Sequence, residues 1–131
     1  MADYFTNFSV MFSPGSANVA QAMAIYNEMS TSDDEDRHIS FGLDQQGDDL
    51  WIYDDGSDDM NGVIKFVTAC AKEFALKGRW GFEYANTCSK PRTDAFGGGV
   101  AVINFDADCK VDEIHTSTIL SCWLEGNEAG A

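Results

Sequence analysis

The stretch Ser57-Asp58-Asp59-Met60-Asn61-Gly62-Val63-Ile64-Lys65-Phe66-Val67-Thr68-Ala69-Cys70-Ala71-Lys72-Glu73-Phe74-Ala75-Leu76-Lys77-Gly78, running into Arg79-Trp80-Gly81-Phe82-Glu83-Tyr84, decides the fold. Its apolar residues Val63, Phe66, Val67, Cys70, Ala71 and Phe74 follow the i, i+3, i+4, i+7, i+8, i+11 spacing of one helix face. Both ends agree with a helix. Asp58 and Asp59 are expected in the first turn, where carboxylates suit the positive end of the macrodipole, Lys72 and Lys77 lie near the end, and Gly78 is placed as the C′ residue. Directly after it, Trp80, Phe82 and Tyr84 alternate with Arg79, Gly81 and Glu83, the period of a strand with one aromatic face. Helices covering one face of an antiparallel sheet are the architecture this implies.

Working outward, Tyr4 to Phe12 reads as a first strand with Phe8, Val10 and Phe12 on one face. Ser13-Pro14-Gly15-Ser16 breaks it, and Val19, Ala22, Met23 and Tyr26 recur at helical spacing to about Met29, capped near Ser16. Ile39, Phe41 and Leu43 alternate, Leu50 to Tyr53 forms a second β-type run, and Asp44 to Asp49 between them supplies the turn of a hairpin. Downstream, Asn86 to Gly99 reads as a long polar, glycine-rich connection and Val100 to Phe105 as a strand. A short strand around Lys110 to Ile114 and a helix capped at Thr116 or Ser117, carrying Ile119, Leu120 and Trp123, complete the chain. Glu125 to Ala131 is expected to fray. The expectation is a single α+β domain over residues 1–131 in the order β-α-β-β-α-β-β-α, with two to three helices. It opens as a split β-α-β unit of ferredoxin-like pattern, with C-terminal additions.

The 131 residues include 22 Asp or Glu against 8 Lys or Arg, a net charge of −14. With 44% hydrophobic residues the chain can bury a core, which excludes wholesale disorder. Binding nucleic acid or anionic membrane by bulk electrostatics needs clustered cations, so neither is an expected direct partner and a cationic protein is favoured. Met1-Ala2-Asp3-Tyr4 lacks the features of a secretory signal and no window approaches the roughly 18 apolar residues of a membrane helix, so the expected location is cytoplasmic.

No motif brings catalytic or metal chemistry together. Cys70, Cys88, Cys109 and Cys122 include no C-x-x-C pair and have only His38 and His115 to join them, which fits reduced cysteines filling space rather than a zinc site. Neither acidic run has the ligand offsets of an EF-hand, although Asp106, Asp108 and Asp112 leave weak cation binding open beside a solvated turn. Gly97-Gly98-Gly99 opens a strand instead of joining a strand to a helix, so a turn or bulge is expected there and not a nucleotide site. Neither metal nor cofactor is expected. Cys88 lies beside Lys90 and Arg92, which would lower a thiol pKa, so a cysteine-dependent enzyme stays open as a rival reading.

The charge is uneven. From Asp33 to Asp59 there are eleven acids against Arg37 alone, a net −10, whereas Lys65 to Arg92 carries six bases against Glu73 and Glu83, a net +4. Asp33, Asp34, Glu35 and Asp36 precede the predicted hairpin, Asp48 and Asp49 lie in its turn, and Asp54, Asp55, Asp58 and Asp59 follow it. Such a row can imitate nucleic-acid phosphates and occupy a partner's Lys/Arg channel, with steered, salt-sensitive association. Solvated turns that confer solubility are the alternative. Trp51 and Tyr53, between the clusters, add an aromatic element to the expected partner-binding set.

Leu50-Trp51-Ile52-Tyr53-Asp54-Asp55, Gly78 through Arg92 and Phe96-Gly97-Gly98-Gly99 resemble a family of small acidic uncharacterised bacterial and phage proteins. In size and acidity the chain is also similar to phage anti-defence proteins, anti-CRISPR and DNA-mimic inhibitors. That resemblance implies a non-enzymatic inhibitor of a basic nucleic-acid-binding protein in a host defence complex. A small protein–protein interaction module is the other rival.

Overall fold

The computed structural model describes residues 4–88 and 97–126, with the side chains of residues 4, 5 and 88 left out. Six strands and three helices follow in the order β1 (Tyr4–Phe12), α1 (Val19–Ser30), β2 (Gly42–Gln46), β3 (Asp49–Tyr53), α2 (Met60–Phe74), β4 (Arg79–Cys88), β5 (Gly97–Asn104), β6 (Lys110–His115) and α3 (Thr116–Leu124). The fold is α+β. One antiparallel sheet runs β2-β3-β1-β4-β5-β6; the short strand read around Lys110 to Ile114, which the order β-α-β-β-α-β-β-α leaves out, is Lys110–His115, a full partner of β5.

β1 is the hub. Its first half pairs with β4, from Tyr4↔Cys88 to Phe8↔Tyr84, and its second half with β3, from Ser9↔Tyr53 to Phe12↔Leu50. Beyond Phe8 the indole N–H of Trp80 reaches across from β4 and donates to the Met11 carbonyl at 3.0 Å. Alternation along the strands sends Phe8, Phe12, Leu50, Ile52, Phe82, Ala101 and Ile103 to one face. There they form a single core with Val19, Ala22 and Met29 of α1 and Val63, Phe66, Val67 and Cys70 of α2. Phe66 is its centre, with its ring 5.7–6.2 Å from those of Phe12, Tyr26 and Phe41.

Several expected boundaries move. Asp58 and Asp59 precede α2, and its N-cap is Asp59. The helix ends at Phe74 with Ala75 in the left-handed region at φ 52°, four residues before Leu76-Lys77-Gly78 give way to β4. Ile39, Phe41 and Leu43 are all buried as their alternation implies, but only Gly42–Gln46 joins the sheet, so the hairpin turn shrinks to Gly47-Asp48. β4 and β5 run longer than expected, taking up Asn86–Cys88 and Gly97–Gly99. The glycine run lies inside a strand because its neighbours are close: a Cβ on Gly98 would sit 2.2 Å from the Tyr84 carbonyl oxygen, and one on Gly99 2.2 Å from that of Ile114. Lys90, Arg92 and the side chain of Cys88 lie outside the described residues, as does the tail after Gly126.

Candidate functional site

Hairpin geometry sorts the acidic residues into two ends of the sheet. Because β3 runs antiparallel to β2 and to β1, the α1–β2 loop with Asp33, Asp34, Glu35 and Asp36 shares one end with the β3–α2 loop carrying Asp54, Asp55, Asp58 and Asp59. Asp48 and Asp49 form the turn at the other end, about 15 Å away along a five-residue strand. Eight acids thus share the end formed by the loops before β2 and after β3, where a hairpin is expected to bring them together, while Asp48 and Asp49 stand apart as a pair, with Asp49 accepting a bond from the Ser13 hydroxyl.

Backbone hydrogen bonds fix that cluster. Asp59 accepts from the Gly62 N–H with Oδ1 (3.0 Å), capping α2, and from the Ser40 N–H with Oδ2 (2.7 Å), tying the two loops together. Asp58, at φ 57°, accepts from the Thr6 N–H of β1 at 2.9 Å. Asp54 accepts from the N–H groups of Gly56 and Asp58, Asp55 from that of Ser57, and Asp34 from that of Asp36, the local pairing typical of Asx turns. Asp33, Asp34, Glu35, Asp36, Asp55 and Asp58 are exposed, whereas Asp54 and Asp59 are half-buried. Arg37 does not neutralise them. Its guanidinium pairs with Glu28 on α1 at 2.7 Å.

Trp51 and Tyr53 stand half-buried on the sheet face opposite α1 and α2, their ring centroids 4.4 Å apart. The Trp51 indole donates to the Ser9 hydroxyl at 2.8 Å, and the Tyr53 ring lies over Gly42 with its hydroxyl directed at Asp44. Burial, together with the Asp44 carboxylate, raises the Tyr53 hydroxyl above its ordinary pKa. Asp44 belongs with this pair although the sequence reading left it out of the expected set. The same face holds a shallow cleft of about 650 Å³ lined by Ser9, Gly81, Glu83, Val100 and Val102, among others.

The most enzyme-like arrangement described joins a buried hydroxyl to an exposed imidazole and carboxylate. The Tyr84 hydroxyl and His115 Nδ1 are 2.6 Å apart, and His115 Nε2 lies 3.7 Å from Glu113. Yet Tyr84 is buried beneath Gly99, and burial followed by Glu113 pushes its hydroxyl further from ionisation. This trio clamps β4, β5 and β6. Among the described residues no three metal-ligating side chains converge, Asp106, Asp108 and Asp112 included. Cys70 is buried and Cys109 and Cys122 are half-buried, all three unpaired. No helix of the described residues is long and apolar enough to cross a membrane.

Comparison with protein-family models, curated proteins and solved structures finds no match.

Proposed function

We propose that this protein is a non-enzymatic inhibitor that sets its acidic end into the cationic, nucleic-acid-binding surface of a partner protein. This is the manner of the DNA-mimic and anti-CRISPR proteins of phages that it resembles in size and acidity. The observation that supports it is the bridge made by Asp59. By binding both Ser40 and Gly62 it holds two acidic loops side by side and leaves six carboxylates exposed, none of them paired with a cation among the described residues. Fixed like charges cost stability, and a preorganised anionic end lowers the ordering cost of binding a Lys/Arg channel. The strand order β2-β3-β1-β4 supports a ferredoxin-like reading of the first four strands, a framework that hosts many functions and selects none.

The test uses replacements that remove charge and keep an acceptor oxygen: Asp33→Asn, Glu35→Gln, Asp36→Asn and Asp55→Asn together. Immobilised wild-type protein is expected to retain host DNA- or RNA-binding proteins at low salt, to release them to duplex DNA or RNA as competitor, and to lose them as salt rises. The fourfold variant is expected to retain none while unfolding at the same or a slightly higher denaturant concentration, since repulsion is relieved. Equal retention by wild type and variant, or no competition by nucleic acid, would sink the proposal. Binding that ignores salt but fails in Trp51→Ala would favour an interaction module built on the aromatic pair.

A further inference from the structure

Cross-strand register sets Asp44 of β2, Trp51 of β3 and Met11 of β1 in one row of the sheet face opposite α1 and α2, with Gly42, Tyr53 and Ser9 in the next. Both rings are held in place. The Trp51 indole is tied to the Ser9 hydroxyl at 2.8 Å, and the Tyr53 ring lies so close over Gly42 that a Cβ there would sit 2.1 Å from it. With one side of Tyr53 on the Gly42 backbone and the two centroids 4.4 Å apart, the half-buried pair turns its remaining ring surface to solvent. Asp44 is exposed at the edge of the pair. Among the described residues it meets the Tyr53 hydroxyl at a long 3.4 Å and pairs with no cation. Met11, 45% exposed, borders Trp51 on the other side.

We propose that this face binds an arginine side chain of a partner protein, its guanidinium stacked on the Trp51–Tyr53 pair and its N–H fork on the Asp44 carboxylate. Ring faces and carboxylate place negative potential at one spot, which attracts a cation and repels a phosphate. A guanidinium suits the spot better than an ammonium does, because it is planar and weakly hydrated and can stack on a ring while donating in its own plane to a carboxylate. Met11 gives the methylene stem an apolar wall. The charges of the face agree with a cationic occupant. Its bases Arg79 and Lys110 share one row with Asn104 on β4, β5 and β6. They stand at least three strand spacings from Asp44, about 14 Å, which is beyond the screening length of about 8–10 Å. Asp49, in contrast, shares β3 with the two rings. The site is built from strands and does not rest on the acidic loops being a contact.

The probe is the peptide acetyl-Gly-Arg-Gly-amide, titrated to about 50 mM at constant ionic strength into ¹⁵N-labelled protein. NMR follows the indole signals of Trp51, Trp80 and Trp123, each assigned by a single Trp→Phe replacement. The Trp51 signal is expected to move and saturate while those of Trp80 and of Trp123, exposed on α3, stay in place. The lysine peptide should bind about threefold more weakly, and the citrulline peptide, an uncharged isostere, should leave Trp51 unmoved. Asp44→Asn, at an exposed position that keeps the fold, should weaken binding by about twofold to fivefold, and Tyr53→Leu by about threefold. The fourfold variant of Asp33, Glu35, Asp36 and Asp55 should bind within about twofold of wild type, so failure of the acidic end as a contact leaves this site standing. A Trp51 signal that never moves overturns the proposal, as does equal binding of the lysine or citrulline peptide, a Trp123 signal that moves as far as that of Trp51, or an Asp44→Asn chain that binds like wild type. Binding lost in the fourfold variant but kept in Asp44→Asn equally overturns it and assigns the cation to the acidic loops.

Discussion

Replacing Asp59 tests whether the acidic end is structural as well as electrostatic. In Asp59→Ala, α2 loses its N-cap, worth about 1 kcal/mol, and the half-buried Ser40 N–H loses its acceptor at 2.7 Å, a further roughly 1–3 kcal/mol. Relief of repulsion from the neighbouring carboxylates returns only a few tenths. The expected loss is therefore about 2–4 kcal/mol, a large part of the roughly 5–15 kcal/mol that stabilises a domain. Asp59→Asn separates the two bonds: its single carbonyl oxygen can cap α2 but cannot also serve Ser40, so about half the loss should appear. Gly62 is part of the same device, since a Cβ there would lie 2.0 Å from Asp59 Oδ2, and Gly62→Ala should displace the cap. Urea unfolding followed by far-UV circular dichroism reads all three. At a slope of about 2 kcal/mol/M the Asp59→Ala midpoint should fall by about 1–2 M. An Asp59→Ala chain within about 0.5 kcal/mol of wild type, or Asp59→Asn as unstable as Asp59→Ala, would refute the two-bond account.

Two further outcomes follow from the core. Phe66→Ala removes a ring with no exposed surface from contact with Phe12, Tyr26 and Phe41, and should cost about 3–5 kcal/mol in the same unfolding experiment; a loss below about 2 kcal/mol would mean the aromatic cluster repacks. Burial pushes the Cys70 thiol up from 9.0 to about 12, so its contribution is complete below the unfolded value near 9 and is lost as pH rises through the window to about 12. By about pH 11 the loss is about 2–3 kcal/mol, with the raised hydroxyls of Tyr26 and Tyr84 acting in the same direction. Cys70→Ala should flatten this alkaline slope, and an unchanged slope in that variant would exclude Cys70 as its source.

Where period and burial coincide, the sequence is readable: α2 shows its face because Val63, Phe66, Val67 and Cys70 all meet one core, and β1 shows Phe8 and Phe12 for the same reason. Its ends are less so, because the α2 cap is settled by Ser40, nineteen residues away, which no local pattern reveals. β4 and β5 run past their predicted limits because polar residues hold them there. Thr6 bonds Asn86 and Asn7 bonds Thr87 across the β1–β4 pair, so a segment that looks like a loop is a ladder of side-chain hydrogen bonds. The candidate site divides similarly. That Asp33–Asp36 and Asp54–Asp59 share an end follows from a hairpin, and so does the separation of Asp48 and Asp49. The spacing of Leu120, Trp123 and Leu124 marks an apolar stripe but cannot say that the chain's own core does not reach it.

The acid excess thus contains two kinds of residue. Asp34, Asp54, Asp55, Asp58 and Asp59 each accept a backbone N–H, whereas Asp33, Glu35 and Asp36 project from the same end without such a bond among those described. Asx turns and an N-cap need an oxygen acceptor, which Asn supplies as well as Asp. Nothing in the turns therefore requires five negative charges: Asp54 takes both of its donors on one oxygen, as an amide could, and only Asp59 uses its two oxygens for different donors. Aspartate at the other positions concentrates repulsion that asparagine would avoid. That repulsion is the physical ground for testing the end as a binding surface by Asp→Asn replacement: the turns keep their geometry while the field disappears. Charge reversal to lysine would remove the acceptors too, and its failure to bind would say nothing about charge.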